Sequence, residues 1–106
     1  MTKIYISGKI TGTTDYIQRF ERAEKALSNY IVINPAKVNA QLPIETTWKE
    51  YMQMSMTMLK MCNAVYMLKG WEDSKGARLE YEFAKSKNYK IFFEKRLTLK
   101  LLCITI

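Results

Sequence analysis

The sequence predicts a three-layer open α/β domain, with a parallel sheet of four to five strands and helices on both faces. Three observations predict it. Short runs rich in β-branched and aromatic residues alternate with longer stretches of helical apolar spacing. The connections between them are short enough for parallel β-α-β crossovers. A chain of 106 residues also leaves room for one domain only, so residues 1–106 are expected to share one core.

Lys3-Ile-Tyr-Ile-Ser7 is short and β-branched, a buried strand ending at Gly8. Thr13, Thr14 and Asp15 are N-cap candidates for a helix running to about Asn29. Tyr16, Phe20, Ala23 and Leu27 form its apolar face, and Asn29 stands where a left-handed C-cap is expected. Tyr30-Ile-Val-Ile33 is a second strand stopped by Asn34-Pro35, and residues 36–45 read as a loop. Thr47-Trp48-Lys49-Glu50 has capping-box spacing and opens a helix to about Met61, on which Trp48, Met52, Ser55, Leu59 and Cys62 share a stripe. Met54, Met56, Met58 and Met61 widen that apolar surface, as adaptable core or subunit packing. Ala64 to Leu68 is the third strand, Gly70 to Gly76 a loop, and about Gly76 to Lys87 the next helix. Lys90-Ile-Phe-Phe93 is a fourth strand, and Leu97 to Ile106 offers a fifth or an edge strand that packs on a partner.

Composition narrows the chemistry. Apolar residues at 48% and charged residues at 25% suit a folded, soluble chain. No apolar run approaches the roughly 18–20 residues of a membrane helix. The first residues lack the apolar core of a secretory signal, so a cytoplasmic location without a membrane partner is expected. The chain contains no histidine, which removes imidazole-based catalytic triads, and its two cysteines, Cys62 and Cys103, lie far apart. A disulfide framework and a zinc site are therefore excluded, and neither a metal nor an organic cofactor is expected. Any catalysis must rest on carboxylates, hydroxyls, lysines or backbone amides.

The net charge of +7 is uneven. Residues 85–106 hold six basic residues against Glu94, a net of +5, so the rest of the chain is close to neutral. A solvated basic face accounts for this pattern, and an anionic partner is the sharper alternative. No aromatic RNA-binding motif or DNA-reading helix accompanies it, so nucleic acid is not the expected partner.

In open α/β sheets ligands bind beyond the carboxyl ends of the strands, where strand order reverses. Ser7-Gly8-Lys9 and Gly70 to Gly76 would meet there. Gly8 and Gly12 flank Gly-Lys-Ile-Thr-Gly, which fits neither a Walker loop nor a dinucleotide fingerprint and is equally a plain turn. Asp73-Ser74-Lys75-Gly76 opens a helix whose unpaired N–H groups attract anions, although Ser74 also serves as a simple cap. Glu80, four residues after Gly76, lies on the same side of that helix.

Tyr5-Ile-Ser-Gly8, Thr47-Trp48 with Tyr51-Met52, Cys62-Asn-Ala-Val-Tyr-Met-Leu68 and Gly70-Trp-Glu-Asp-Ser-Lys-Gly-Ala-Arg-Leu-Glu80 follow one another in this order. Together they resemble the nucleoside 2-deoxyribosyltransferase-like superfamily, especially its small-domain branch, over residues 3 to about 94. The Gly-Trp-Glu-x-Ser-x-Gly-Ala…Glu stretch is the most specific part. The resemblance implies a flavodoxin-like (Rossmann-like) fold and cleavage or transfer at the N-glycosidic bond of a nucleoside or nucleotide. It places the nucleophile on Glu80 and an orienting hydroxyl on Tyr5, while Ser7, Gly8 and Lys9 would line the base and sugar pocket. Ser74 beside Gly76 resembles the 5′-monophosphate hydrolases of the family, with Lys75 or a neighbouring subunit adding positive charge. Gly70 and Asp73 belong to the same binding loop. The resemblance also implies a homodimer or larger assembly.

Three positions depart from the family pattern. Ser55 stands where an aspartate is expected in the middle helix, Asn63 where a strand aspartate is frequent, and Lys9 where proline is frequent. Ser55 is still placed to project into the site, but a serine cannot protonate a departing base as a carboxylic acid does. That role would fall to Glu72, Asp73 or a neighbouring subunit, or be absent. Two alternatives to an enzyme therefore follow: a non-catalytic nucleotide-binding module with the same pocket, or an interaction protein acting through its basic C-terminal segment.

Overall fold

The computed structural model describes residues 2–95. The fifth strand expected at 97–106 lies outside them, as do residues 96–106 of the basic C-terminal segment. Four parallel strands, β1 (Lys3–Ser7), β2 (Ile31–Ile33), β3 (Ala64–Met67) and β4 (Lys90–Phe93), form one sheet in the order β2-β1-β3-β4. Four helices connect or flank them: α1 (Tyr16–Ala26), α2 (Pro35–Asn39), α3 (Trp48–Lys60) and α4 (Lys75–Ser86). The result is the expected three-layer, flavodoxin-like open sheet.

Alternation along the central strands separates two cores. Ile4 and Ile6 of β1 join Phe20, Ala23 and Leu27 of the α1 segment, Ala36 of α2, and Ala64 and Leu68. Tyr5 faces the other way, with Val65 and Met67 of β3, Met58, Leu59 and Cys62 from the α3 segment, and Ala77 and Ala84 of α4. β1 is thus buried on both faces, as a central parallel strand requires. Its register places Tyr5 beside Val65 and Ser7 beside Met67.

Chain order reverses across β1: β2 lies on one side of it and β3 on the other. The loops after β1 and β3 therefore diverge and leave a crevice at the carboxyl ends of the strands. Arg19 braces the first loop, donating to the Lys9 carbonyl at 2.6 Å. At the opposite end of the sheet, Asn63 accepts from the Lys3 amide at 3.0 Å. Asn63 is thus a strand-end tie, remote from the crevice.

Several element boundaries differ from expectation. α1 begins at Tyr16 with no side-chain cap, because Asp15 pairs with Arg19 at 3.1 Å and Thr13 donates to the Ile10 carbonyl at 2.8 Å. It ends at Ala26 rather than near Asn29. A turn in which Tyr30 donates to the Leu27 carbonyl closes it without a left-handed residue at Asn29. The left-handed asparagine is Asn88 instead, just beyond α4. The expected loop at 36–45 contains α2: Asn34 accepts the Ala36 amide at 3.0 Å and Pro35 takes the first helical position. The capping box at Thr47 and Glu50 forms as expected. A short 3-10 turn (Trp71–Asp73) precedes α4, which starts at Lys75 and ends at Ser86.

Two glycines mark close approaches. A Cβ at Gly8 would lie 2.8 Å from Leu68 Cδ1 and 2.9 Å from Leu68 Cβ. One at Gly76 would meet only the mobile thioether of Met52, at 2.9 Å. Gly8→Ala is therefore expected to cost about 1–3 kcal/mol by overpacking. Gly76→Ala should leave the melting temperature nearly unchanged while displacing Met52. Thermal denaturation of the two variants in parallel checks the contrast.

Candidate functional site

At the carboxyl ends of β1, β2 and β3 lies a partly open cleft of about 210 Å³. That is below the roughly 300 Å³ at which sites for drug-sized ligands begin, so it suits a small molecule, part of which can extend through the open side. The first loop contributes Gly8, Ile10 and Thr11, α1 contributes Tyr16 and Phe20, and α2 contributes Pro35 and Asn39. Trp48, Tyr51, Met52 and Ser55 enter from α3, and Ser74, Gly76, Ala77 and Glu80 from the α4 side, above Tyr5 and Ile6 of the sheet.

Glu80 is the centre of this arrangement. α4 packs against β1 and β3, and its sixth residue is turned inward and left 5% exposed. The Tyr5 hydroxyl donates to Oε2 at 2.5 Å, and the Ser7 hydroxyl donates to Oε1 at 2.6 Å. Both donors follow from strand alternation, since Tyr5 and Ser7 share the face of β1 that meets α4. Burial pushes the Glu80 carboxyl up to about 7, and the hydrogen bonds from Ser7 and Tyr5 pull the other way. The Tyr5 phenol is raised well above its ordinary range, first by burial and then by the adjacent Glu80 charge, while the Ser55 hydroxyl lowers it. Tyr5 therefore keeps its proton at neutral pH and remains a donor.

Ser74 caps α4 by accepting the Ala77 amide at 3.1 Å. Its hydroxyl proton stays free to donate, and the positive end of the α4 dipole faces the cleft beside Gly76. Lys75 places its ammonium 4.9 Å from the centre of the Trp48 ring, which brings a cation to the rim.

The structure thus gathers Glu80, Tyr5, Gly8, Ser55, Ser74 and Gly76 around one cleft. Ser7 supports Glu80 from behind without lining it. Lys9, Gly70 and Asp73 lie outside the lining: the Lys9 carbonyl is tied to Arg19, and Gly70 holds a left-handed turn with φ of 87°. Asp73 is exposed in the 3-10 turn beside Glu72, whose carbonyl accepts from Arg78. Among the described residues, Glu80 is the one carboxylate that lines the cleft. Asn39, Tyr16 and Tyr51 are wall residues that the sequence reading did not single out for a site. Trp48 and Met52 share the Ser55 stripe, and that spacing was the available signal. No group of three or more histidine, cysteine or acidic residues is placed to hold a metal ion among the described residues. No described helix is long and apolar enough to cross a membrane.

Compared with known families, residues 2–93 match a domain of unknown function, DUF4406, and the chain belongs to that family. No curated protein matches it.

The elevated carboxyl sets a pH dependence of stability. Folded Glu80 binds a proton up to about pH 7, whereas in the unfolded chain it releases one near the ordinary carboxylate value of 4.5. The stabilisation is complete below about 4.5 and is lost as pH rises through about 7. Glu80→Gln should flatten this dependence and gain roughly 3 kcal/mol relative to wild type above pH 7. Urea denaturation of both proteins between pH 4.5 and 8.5 reads the difference, and parallel curves would refute it.

Proposed function

We propose that this DUF4406 domain cleaves or transfers the N-glycosidic bond of a (deoxy)nucleoside or nucleoside 5′-monophosphate, with Glu80 as nucleophile. The observation that carries the proposal is a buried carboxylate held at both oxygens by hydroxyl donors, on the wall of a partly open cleft. The motif resemblance to the nucleoside 2-deoxyribosyltransferase-like superfamily supports it.

In the first step an oxygen of ionised Glu80 bonds to the anomeric carbon. The C–N electron pair leaves with the base, which takes a proton from solvent. In the second step water bonds to the same carbon, the ester C–O bond breaks, the carboxylate returns, and the extra proton passes to solvent. A second base in place of water gives transfer. Tyr5 and Ser7 hold the carboxylate in one orientation and favour its ionised form. A 5′-phosphate would take the Ser74 hydroxyl and the free amides heading α4, with Lys75 at the rim. The same proposal entails a homodimer or larger assembly, for which exposed Met54 and Met61 on and just after α3 offer an apolar surface. Light scattering reads that state, and a monomer argues against it.

One observation favours a second reading, a nucleotide-binding module without chemistry. Glu80 has no companion carboxylate in the cleft among the described residues, so no acid there protonates the leaving base.

Base release from deoxynucleosides and their 5′-monophosphates, followed by chromatography, separates the two. An enzyme is expected to prefer monophosphates and to lose about 10³-fold or more in Glu80→Gln. Its rate should rise through about pH 7 to a plateau rather than a bell, because one ionisation governs it. Tyr5→Phe removes a donor to the ionised form and should move that rise to higher pH. Nucleotide-dependent thermal stabilisation with no release in any protein would establish the binding module instead.

A further inference from the structure

β4 (Lys90–Phe93) is the edge strand beyond β3. The Lys90 amide donates to the Asn63 carbonyl and the Glu94 amide to the Met67 carbonyl, so residues 90, 92 and 94 turn their backbone groups toward β3. By alternation the N–H and C=O of Ile91 and Phe93 point away from the sheet. Among the described residues no strand meets them. An edge is ordinarily blunted, as β2 is by its three-residue length and by Pro35 just beyond it. β4 carries no proline, and its ladder with β3 runs without a bulge. It also leaves the Phe93 side chain 52% exposed, beside the rings of Trp71 and Tyr81.

The order of side chains along this edge is self-complementary. Lys90, Phe92 and Glu94 alternate on the face where Phe92 meets Tyr30, and Ile91 and Phe93 lie on the α4 face. A second copy related by a two-fold axis at Phe92 pairs antiparallel with the first. Ile91 then stands opposite the partner's Phe93, Phe92 opposite the partner's Phe92, and Lys90 opposite the partner's Glu94. The first is a hydrogen-bonded pair, as the outward groups of Ile91 and Phe93 require. The other two are non-hydrogen-bonded pairs, whose side chains approach more closely. Apolar meets apolar, and each cation meets a carboxylate. Glu94 Oε1 accepts the Lys69 amide at 2.9 Å, and the flexible lysine stem reaches that carboxylate from the opposite strand. Moving the axis to Ile91 sets Lys90 against the partner's Phe92, and moving it to Phe93 sets Glu94 there instead.

We propose that β4 is a homodimer interface, at which two copies pair antiparallel about Phe92 and join their sheets into one. The competing cover is the chain's own continuation. Residues 94–106, however, contain no Gly, Asn, Asp or Pro to make the tight turn that a hairpin back onto β4 needs. This surface is distinct from that of Met54 and Met61 on and just after α3, and it requires nothing of the chemistry in the cleft.

The test is a charge exchange on the full chain, read by sedimentation velocity over a concentration series. Wild type should dimerise. Lys90→Glu alone and Glu94→Lys alone each set like charges opposite one another at both ends of the paired strands. Each should weaken self-association roughly tenfold or more. Mixing the two variants restores opposite charges at both ends, so the mixture should form a heterodimer tighter than either variant's own dimer. Amide exchange by NMR gives a reading on the unsubstituted protein. Protection of Ile91 and Phe93 should rise with protein concentration, while that of Phe92 and Glu94 stays high throughout. A dimer indifferent to both substitutions overturns this proposal alone, since the interface would lie elsewhere. Concentration-independent protection of Ile91 and Phe93 also overturns it, because the chain's own C-terminal segment would then cover the edge. A wild type monomeric at every concentration overturns it together with the assembly entailed by the nucleotide reading, whose chemistry base release tests separately.

Discussion

Removing a carboxyl group from water is costly unless its oxygens find donors, and the sheet centre here is arranged around supplying them to Glu80. Tyr5 and Ser7 each give one hydrogen bond, and neither side chain would sit easily in an apolar layer without that acceptor. The three groups satisfy one another, tying β1 to α4 through polar contacts across a core otherwise built from Leu59, Val65, Met67 and Ala77. Donation stabilises the charged form and burial destabilises it, and burial prevails by enough to bring the carboxyl near neutrality. Such a group changes protonation in the pH range where a nucleophile or a proton carrier is useful.

Topology explains why this polar cluster meets open space rather than more core. The sheet reverses at β1, so no crossover fills the gap between the loops after β1 and β3. Gly8 lets the first loop lie against Leu68, and Gly76 lets the head of α4 lie against Met52. α3 then supplies the wall facing Glu80. Its position 55 carries a hydroxyl small enough to leave the cleft open, where a larger side chain would occupy it.

Much of this was legible in the sequence because it follows local periodicity. The strands, the capping box at Thr47 and Glu50, the apolar stripe of α1 and the Ser74 cap are each set by neighbours within a few residues. Boundaries failed where a side chain had two possible partners. Asp15 chose Arg19 over the helix amides, and Asn34-Pro35 both ended a strand and began a helix. Glu80 could be singled out by motif resemblance, yet its pairing with Ser7 depends on two elements 73 residues apart. Asn63 shows the converse. The family resemblance marks its position as one where an aspartate is frequent, but the strand carries it to the amino end of the sheet, where it holds Lys3. Asn39 was hidden for a related reason: a loop assignment gives no direction to a side chain, whereas five residues of helix do.

Glu80 is the one carboxylate in the cleft among the described residues, and that bears on the chemistry proposed for it. A glycosidase that forms a covalent intermediate ordinarily divides nucleophile and acid between two carboxyl groups. Glu80 cannot serve both roles in one step, since attack requires it ionised and proton donation requires it protonated. The division matters most for a poor leaving group such as an alkoxide. A nucleobase spreads the departing electron pair over its ring nitrogens and, where it has them, exocyclic oxygens, and can accept its proton from water afterwards. An N-glycosidic bond is therefore the class of glycoside for which a lone nucleophile remains sufficient. In the proposed reaction Ser55 would leave acid catalysis to solvent, while the Tyr5–Glu80–Ser7 hydrogen bonds would hold the nucleophile in place.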